Sequence, residues 1–204
     1  MSGVFAITTS VLALLVSVVT ACITFYRGSV RITAPSMVVL GYDERGSRDG
    51  FDPKVMVRCL VFSTGERGRV VETLYARLQN DTSDKVFPVW GVDADSKLVR
   101  GGGLWIGKTG VTAWHHFVAT TDFQFQPGTY KLEVFARVHG SNHPKKLWSA
   151  VLSLPAECAP SRHDGREQVW FDREPQTGDL LPRLESRDVL SARPTNNSLQ
   201  ASAG

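Results

Sequence analysis

A chain of 204 residues suffices for one domain with a real core, and its net charge of +3, without any run of Lys or Arg longer than two, argues against a nucleic-acid partner. Three cysteines, Cys22, Cys59 and Cys158, are too few for a disulfide framework. Charge is uneven: residues 1–155 carry 17 Lys and Arg against 12 Asp and Glu, whereas residues 156–204 carry 6 against 8, which marks a boundary near Pro155.

The first element is apolar. Val4 to Tyr26 (VFAITTSVLALLVSVVTACITFY) holds 23 residues without a charge. At about 1.5 Å per residue, a helix of that length matches a hydrocarbon core of about 30 Å. The expectation is an uncleaved transmembrane helix over residues 4–26, since no basic segment precedes the run. A competing reading takes Val19-Thr20-Ala21-Cys22 as a lipoprotein cleavage site with Cys22 lipidated. Arg27 and Arg31 follow the run, so the positive-inside rule keeps the C-terminal side in the cytoplasm: a bacterial inner-membrane protein, its domain cytoplasmic rather than periplasmic. Thr9, Ala13, Ser17 and Ala21 recur every fourth residue, a small-residue face suited to a homodimer.

After Pro35 the period changes to two. Strands are expected at Val38 to Tyr42, Lys54 to Phe62, Arg69 to Gln79, Val86 to Val92, Lys97 to Leu104, Val111 to Val118, Thr129 to His139 and Lys146 to Leu154, separated by polar, Gly-rich or Pro-containing turns. Val55, Val57, Cys59 and Val61 share one face, which makes Cys59 a small core residue. In Arg69 to Gln79 two registers are open: Val71, Thr73 and Tyr75 inward, or Val70, Leu74 and Leu78. Trp90, Trp105 and Trp114 are read as core side chains. The expected fold is mainly β, an antiparallel immunoglobulin-like sandwich over residues 30–155. Gly128-Thr129-Tyr130 supplies the tyrosine that braces a corner between sheets. Residues 156–204 are polar and aperiodic, and a disordered tail is expected. Within it Val169-Trp170-Phe171 either tucks back onto the domain or serves as a linear motif.

Gly102 to Thr109 (GGLWIGKT) matches the phosphate-loop pattern GxxxxGK followed by Ser or Thr. That pattern works by delivering a turn onto a helix N-terminus. Here β-branched Val111 and Thr112 follow, so Gly107 to Gly110 is read as a hairpin turn. Adjacent His115 and His116 point to opposite strand faces and do not chelate together. His139 and His143 flank a turn without a third ligand in sight. Metal, cofactor and catalysis are therefore not expected. Arg67, Arg69, Glu72, Arg100 and His116 are the candidate interaction residues, either an internal ion-pair brace or an arginine site for an acidic segment or phosphate.

The blocks STGERGRVVE, LVRGGGLWIGKTGVTAWHHF and PGTYKLEVFARV behind an N-terminal apolar run resemble a group of small single-pass bacterial membrane proteins of uncharacterised function. The resemblance covers roughly residues 5 to 155 and implies the anchor and the C-terminal β-sandwich, with no site residues to carry over. The expected function is that of a membrane-anchored, non-catalytic interaction or scaffold module with a protein partner. The alternatives are a small-molecule or phosphate sensor and an envelope lipoprotein.

Overall fold

The computed structural model of the chain describes residues 2–26, 28–44, 51–92, 98–119, 123–161 and 167–186, with side chains over the same spans apart from 2–6, 23–26, 44, 92 and 98–100. The first element is a helix, α1 (Ser2–Tyr26). Its described side chains, residues 7–22, are all exposed, and Ile7 and Leu14 stand 66% and 65% open. A helix apolar on every side has no stripe to bury against its own domain. Its hydroxyls are satisfied internally: Ser17 Oγ donates to the Ala13 carbonyl (2.9 Å) and Thr20 Oγ1 to that of Val16 (2.8 Å). Among the described residues, which include α1 side chains only from 7 to 22, no helix is long and apolar enough to cross a membrane.

The rest is mainly β. Among the described residues twelve strands follow: β1 (Val30–Ile32), β2 (Met37–Glu44), β3 (Phe51–Ser63), β4 (Arg69–Gln79), β5 (Asp84–Val92), β6 (Leu98–Arg100), β7 (Leu104–Ile106), β8 (Val111–Val118), β9 (Gly128–Val138), β10 (Lys145–Leu154), β11 (Glu167–Arg173) and β12 (Leu180–Ser186). All pairings are antiparallel, in the order β10-β9-β4-β5-β8-β3-β2-β11-β12, with β1 added to β3, β6 to β5 and β7 to β4. The ladder is continuous because β5 changes partner midway. Asp84 to Pro88 pair with β4, while Val89 and Trp90 pair with β8. Pro88 has no N–H to give a ladder, which suits it to the point of exchange. The sheet curls barrel-like, and β10 approaches β1 and β12 without pairing to either, so the curl ends in a seam.

The inner face carries the core. Val55, Val57, Cys59 and Val61 are buried as expected, with Tyr42, Phe87, Phe117, Phe123 and Phe125 around them. Four of these rings meet edge to face, Tyr42 to Phe125 at 5.3 Å, Phe125 to Phe123 at 5.2 Å and Phe123 to Phe87 at 5.9 Å. Neither expected register of β4 holds along its whole length. Val71 is buried, and then Leu74, Ala76 and Leu78, because β4 gains one residue against β9 between Val71 and Thr73. Glu72 is that extra residue, and the bulge reverses the facing of everything after it. Tyr130 braces the start of β9: its hydroxyl donates to the Gln126 carbonyl (2.7 Å) and accepts from the Gln126 N–H (2.8 Å).

Two expectations are corrected. Disorder was expected from residue 156, yet β11 and β12 extend the sheet beyond β2, with Val169 and Phe171 fully buried in the core. Each such burial contributes about 1.5 to 3 kcal/mol, enough to recruit a polar segment that has only a few apolar residues to offer. Of the two readings of Val169-Trp170-Phe171, the one in which it tucks back is observed. Residues 187–204 lie outside the described residues. The tryptophans are not core either: Trp105 is 64% exposed, and Trp90 and Trp114 lie half-buried outside the main cluster.

Candidate functional site

The join between helix and domain organises the first site. Gly28 and Gly65 approach backbone to backbone, so closely that a Cβ on Gly28 would stand 2.5 Å from Gly65 Cα. Only glycine tolerates that approach. Two hydrogen bonds stitch the segment beside them: the Ser29 N–H donates to Thr64 Oγ1 (2.8 Å), and the Thr64 N–H to the Ser29 carbonyl (2.9 Å). The Ser63-Thr64-Gly65 part of the β3–β4 turn is thus a clasp on the chain as it leaves α1.

Next to the clasp the seam opens into a cleft of about 240 Å³. Gly28, Ser29 and Val30 form one wall. The β9–β10 hairpin, through His139, Gly140, Ser141, His143 and Lys145, forms the other, and Ala136, Val138 and Leu147 lie along an apolar floor. Arg69, at the start of β4, completes the lining. Among the described residues the cleft therefore carries two permanent cations and two imidazoles, and no carboxylate lines it.

The bulge feeds this site. Glu72 accepts from Arg137 Nε (2.9 Å) and meets His139 Nδ1 at 2.8 Å. The hydrogen bond with His139 first, and Arg137 beside it, hold the Glu72 carboxyl below the usual carboxylate range. A β-bulge that re-aims a side chain next to a cleft is a recurrent device, and here it anchors one hairpin histidine.

His116 lies elsewhere. Cross-strand neighbours on the outer face run Arg183, Trp170, Val39, Met56, His116, Trp90, with Arg100 next in register. Beside this row Trp114 meets Trp170 edge to face (5.8 Å), Arg58 covers Trp114 (5.7 Å), and Lys54, only 4% exposed, pairs with Asp43 at 3.1 Å. Burial, with Lys54 adding to it, lowers the pKa of His116, and burial lowers that of His115, which faces the core. Among the described residues nothing hydrogen-bonds His116 Nδ1 or His115 Nε2.

The five candidates thus do not form one surface. Arg69 lines the cleft and Glu72 supports it; Arg67 is exposed on the β3–β4 turn; His116 belongs to the outer face, and of Arg100 only the strand position opposite Trp90 is described. Of the glutamates near these arginines, Glu66 pairs with Lys108 and Glu72 with Arg137. Gly107 to Gly110 is a tight turn, its Gly110 N–H donating to the Gly107 carbonyl (3.2 Å), but not a hairpin. Its flanking strands β7 and β8 pair with β4 and β3, so it turns a corner of the sheet, and the strand after it leaves no helix N-terminus for a phosphate. Cys59 is buried, with its thiol pushed up to about 12 by desolvation, and neither it nor Cys158 is in a disulfide. Among the described residues no group of three or more His, Cys, Asp and Glu could hold a metal ion. Sequence reasoning missed Lys145, Ser141 and the Gly28–Gly65 contact; the one available signal was the polar HGSNHPKK hairpin, dense in cationic side chains.

No protein-family model matches the chain, and no curated protein or solved structure matches it.

Proposed function

We propose that the chain is a single-pass, membrane-anchored binding module without catalytic function, its barrel-like domain held on the cytoplasmic face of a bacterial inner membrane. The observation that carries this reading is the join after α1. Only Arg27 separates Tyr26 from Gly28, and Gly28 is packed against Gly65, so the domain has almost no leash. The charge-free run of 23 residues supports the anchor, and Arg27 and Arg31 support the orientation. The continuation of α1 to Tyr26 favours an anchor over lipidation at Cys22. The buried, high-pKa thiol of Cys59 supports a non-catalytic role.

Three finer readings belong to the same proposal. The bracing tyrosine supports an immunoglobulin-like sandwich as the parent architecture. The face of Thr9, Ala13, Ser17 and Ala21 supports pairing of two anchors. The sequence blocks quoted above support kinship with the small single-pass membrane proteins they resemble.

Alkaline carbonate extraction of membranes carrying the full-length chain tests the anchor. The protein is expected in the pellet until detergent is added; recovery in the carbonate supernatant contradicts the reading, and an acyl mass on Cys22 replaces it with the lipoprotein alternative.

A further inference from the structure

We infer that the cleft beside the clasp binds the phosphate of an anionic phospholipid headgroup. The inference rests on the anchor reading and adds to it a ligand.

Position is the first argument. A bilayer of about 40 to 45 Å with a hydrocarbon core of about 30 Å leaves a headgroup layer of about 5 to 8 Å on each side. From Tyr26, an aromatic suited to the edge of the core, two residues reach at most about 7 Å to Gly28. Gly28 is itself a wall of the cleft, and its contact with Gly65 ties the cleft to the chain two residues after Tyr26. The cleft thus opens at the depth where lipid phosphates lie.

Chemistry is the second. Arg69 brings a forked guanidinium of the kind that matches phosphate oxygens, and Lys145 from the β9–β10 hairpin adds an ammonium. The side chains of His139, Ser141 and His143 bring further polar groups from the hairpin. Ala136, Val138 and Leu147 give an apolar floor, which a free inorganic anion does not use and the glycerol carbons of a lipid do. Among the described residues no carboxylate lines the cleft, and Glu72, which meets the lining residue His139, is paired with Arg137 as well.

Native mass spectrometry of the full-length protein in detergent, titrated with phosphatidylglycerol, phosphatidylcholine or inorganic phosphate, tests this directly. One phosphatidylglycerol per chain is expected, with phosphatidylcholine weaker by about tenfold and inorganic phosphate unable to displace it at equal concentration. Arg69→Gln with Lys145→Gln is expected to cost tenfold or more in affinity, since each cation near an anionic surface is worth roughly fivefold. Lys145→Glu alone gives a large loss at an exposed position where misfolding is not a concern. Lys85→Gln with Lys131→Gln, the same charge change at the far end of β4 and β9, is expected to leave binding unaltered. Inorganic phosphate displacing the lipid at equal concentration overturns the lipid source in favour of a soluble phosphate. Equal losses in both double variants, or in neither, overturn the cleft as the site. The detergent titration does not depend on bilayer insertion, so failure of the anchor reading is reported separately by carbonate extraction.

Discussion

Gly28 and Gly65 lie 37 residues apart in sequence and touch through their backbones, with space for a Cβ on neither: one on Gly65 would stand 2.7 Å from Gly28 Cα. This contact ties the start of the domain to the turn that opens β4. Gly28→Ala and Gly65→Ala are therefore each expected to lower stability by about 1 to 3 kcal/mol, the range of overpacking in a site that cannot relax. At a domain of this size that is a fall of several degrees in Tm. Gly102→Ala, with nothing within 4 Å of the new methyl, is the control expected to melt with the wild type.

Acid sensitivity of the fold follows from its two central histidines. Burial lowers the pKa of both His115 and His116, so the unfolded chain binds protons that the folded one refuses. Their contribution is complete above the unfolded value of about 6.5 and is lost as pH falls from there through the lower folded values. Urea midpoints are expected to drop between pH 7.5 and pH 5, and His115→Leu, which removes a core titration, to flatten that slope. Glu72, Glu133 and Asp84, whose pKa values are lowered by cationic partners, act in a more acidic window, below the ordinary carboxylate range of about 4.

The strands beyond residue 160 are part of the folded unit. Phe171→Ala is expected to cost about 3 to 5 kcal/mol by opening a cavity in the core, which a chemical denaturation curve will read. Leu181→Ala, on the half-open outer strand, is expected to cost under about 1 kcal/mol.

The phosphate-loop pattern serves structure. Lys108 is 63% exposed and paired with Glu66 across two turns. Lys108→Ala is expected to cost less than about 1 kcal/mol in thermal melts, as exposed pairs do, and to leave lipid and nucleotide titrations as they are in the wild type.

How much of this was legible follows from the range of each interaction. The alternation in β3 and the Gly128-Thr129-Tyr130 brace are local, and both appear in the structure as read. The facing of β4 was not legible, because a single inserted residue, Glu72, reverses the phase and is defined only against β9. The same holds for β11: its composition is that of a solvated tail, and what orders it is the open edge of β2. Trp90, Trp105 and Trp114 read as core, yet Trp105 is exposed and Trp90 and Trp114, with Trp170 beside them, cover the outside of the sheet, a layer that periodicity does not distinguish from the inside. The cleft joins residues 28–30, 69 and 136–147, three segments that no spacing connects.

On the proposed anchoring, the Gly28 end of the domain rests in the headgroup layer. Fluorophore quenching by headgroup-brominated lipid measures it most directly, on full-length protein in bilayers with Cys22 and Cys158 replaced by serine and one new cysteine at Ser141 or at Asp81. Ser141 lines the cleft, while Asp81 follows the far end of β4, a strand of 11 residues and so about 35 Å away. Strong quenching is expected at Ser141 and little at Asp81. Equal quenching at both positions, or stronger quenching at Asp81, contradicts the proposed anchoring.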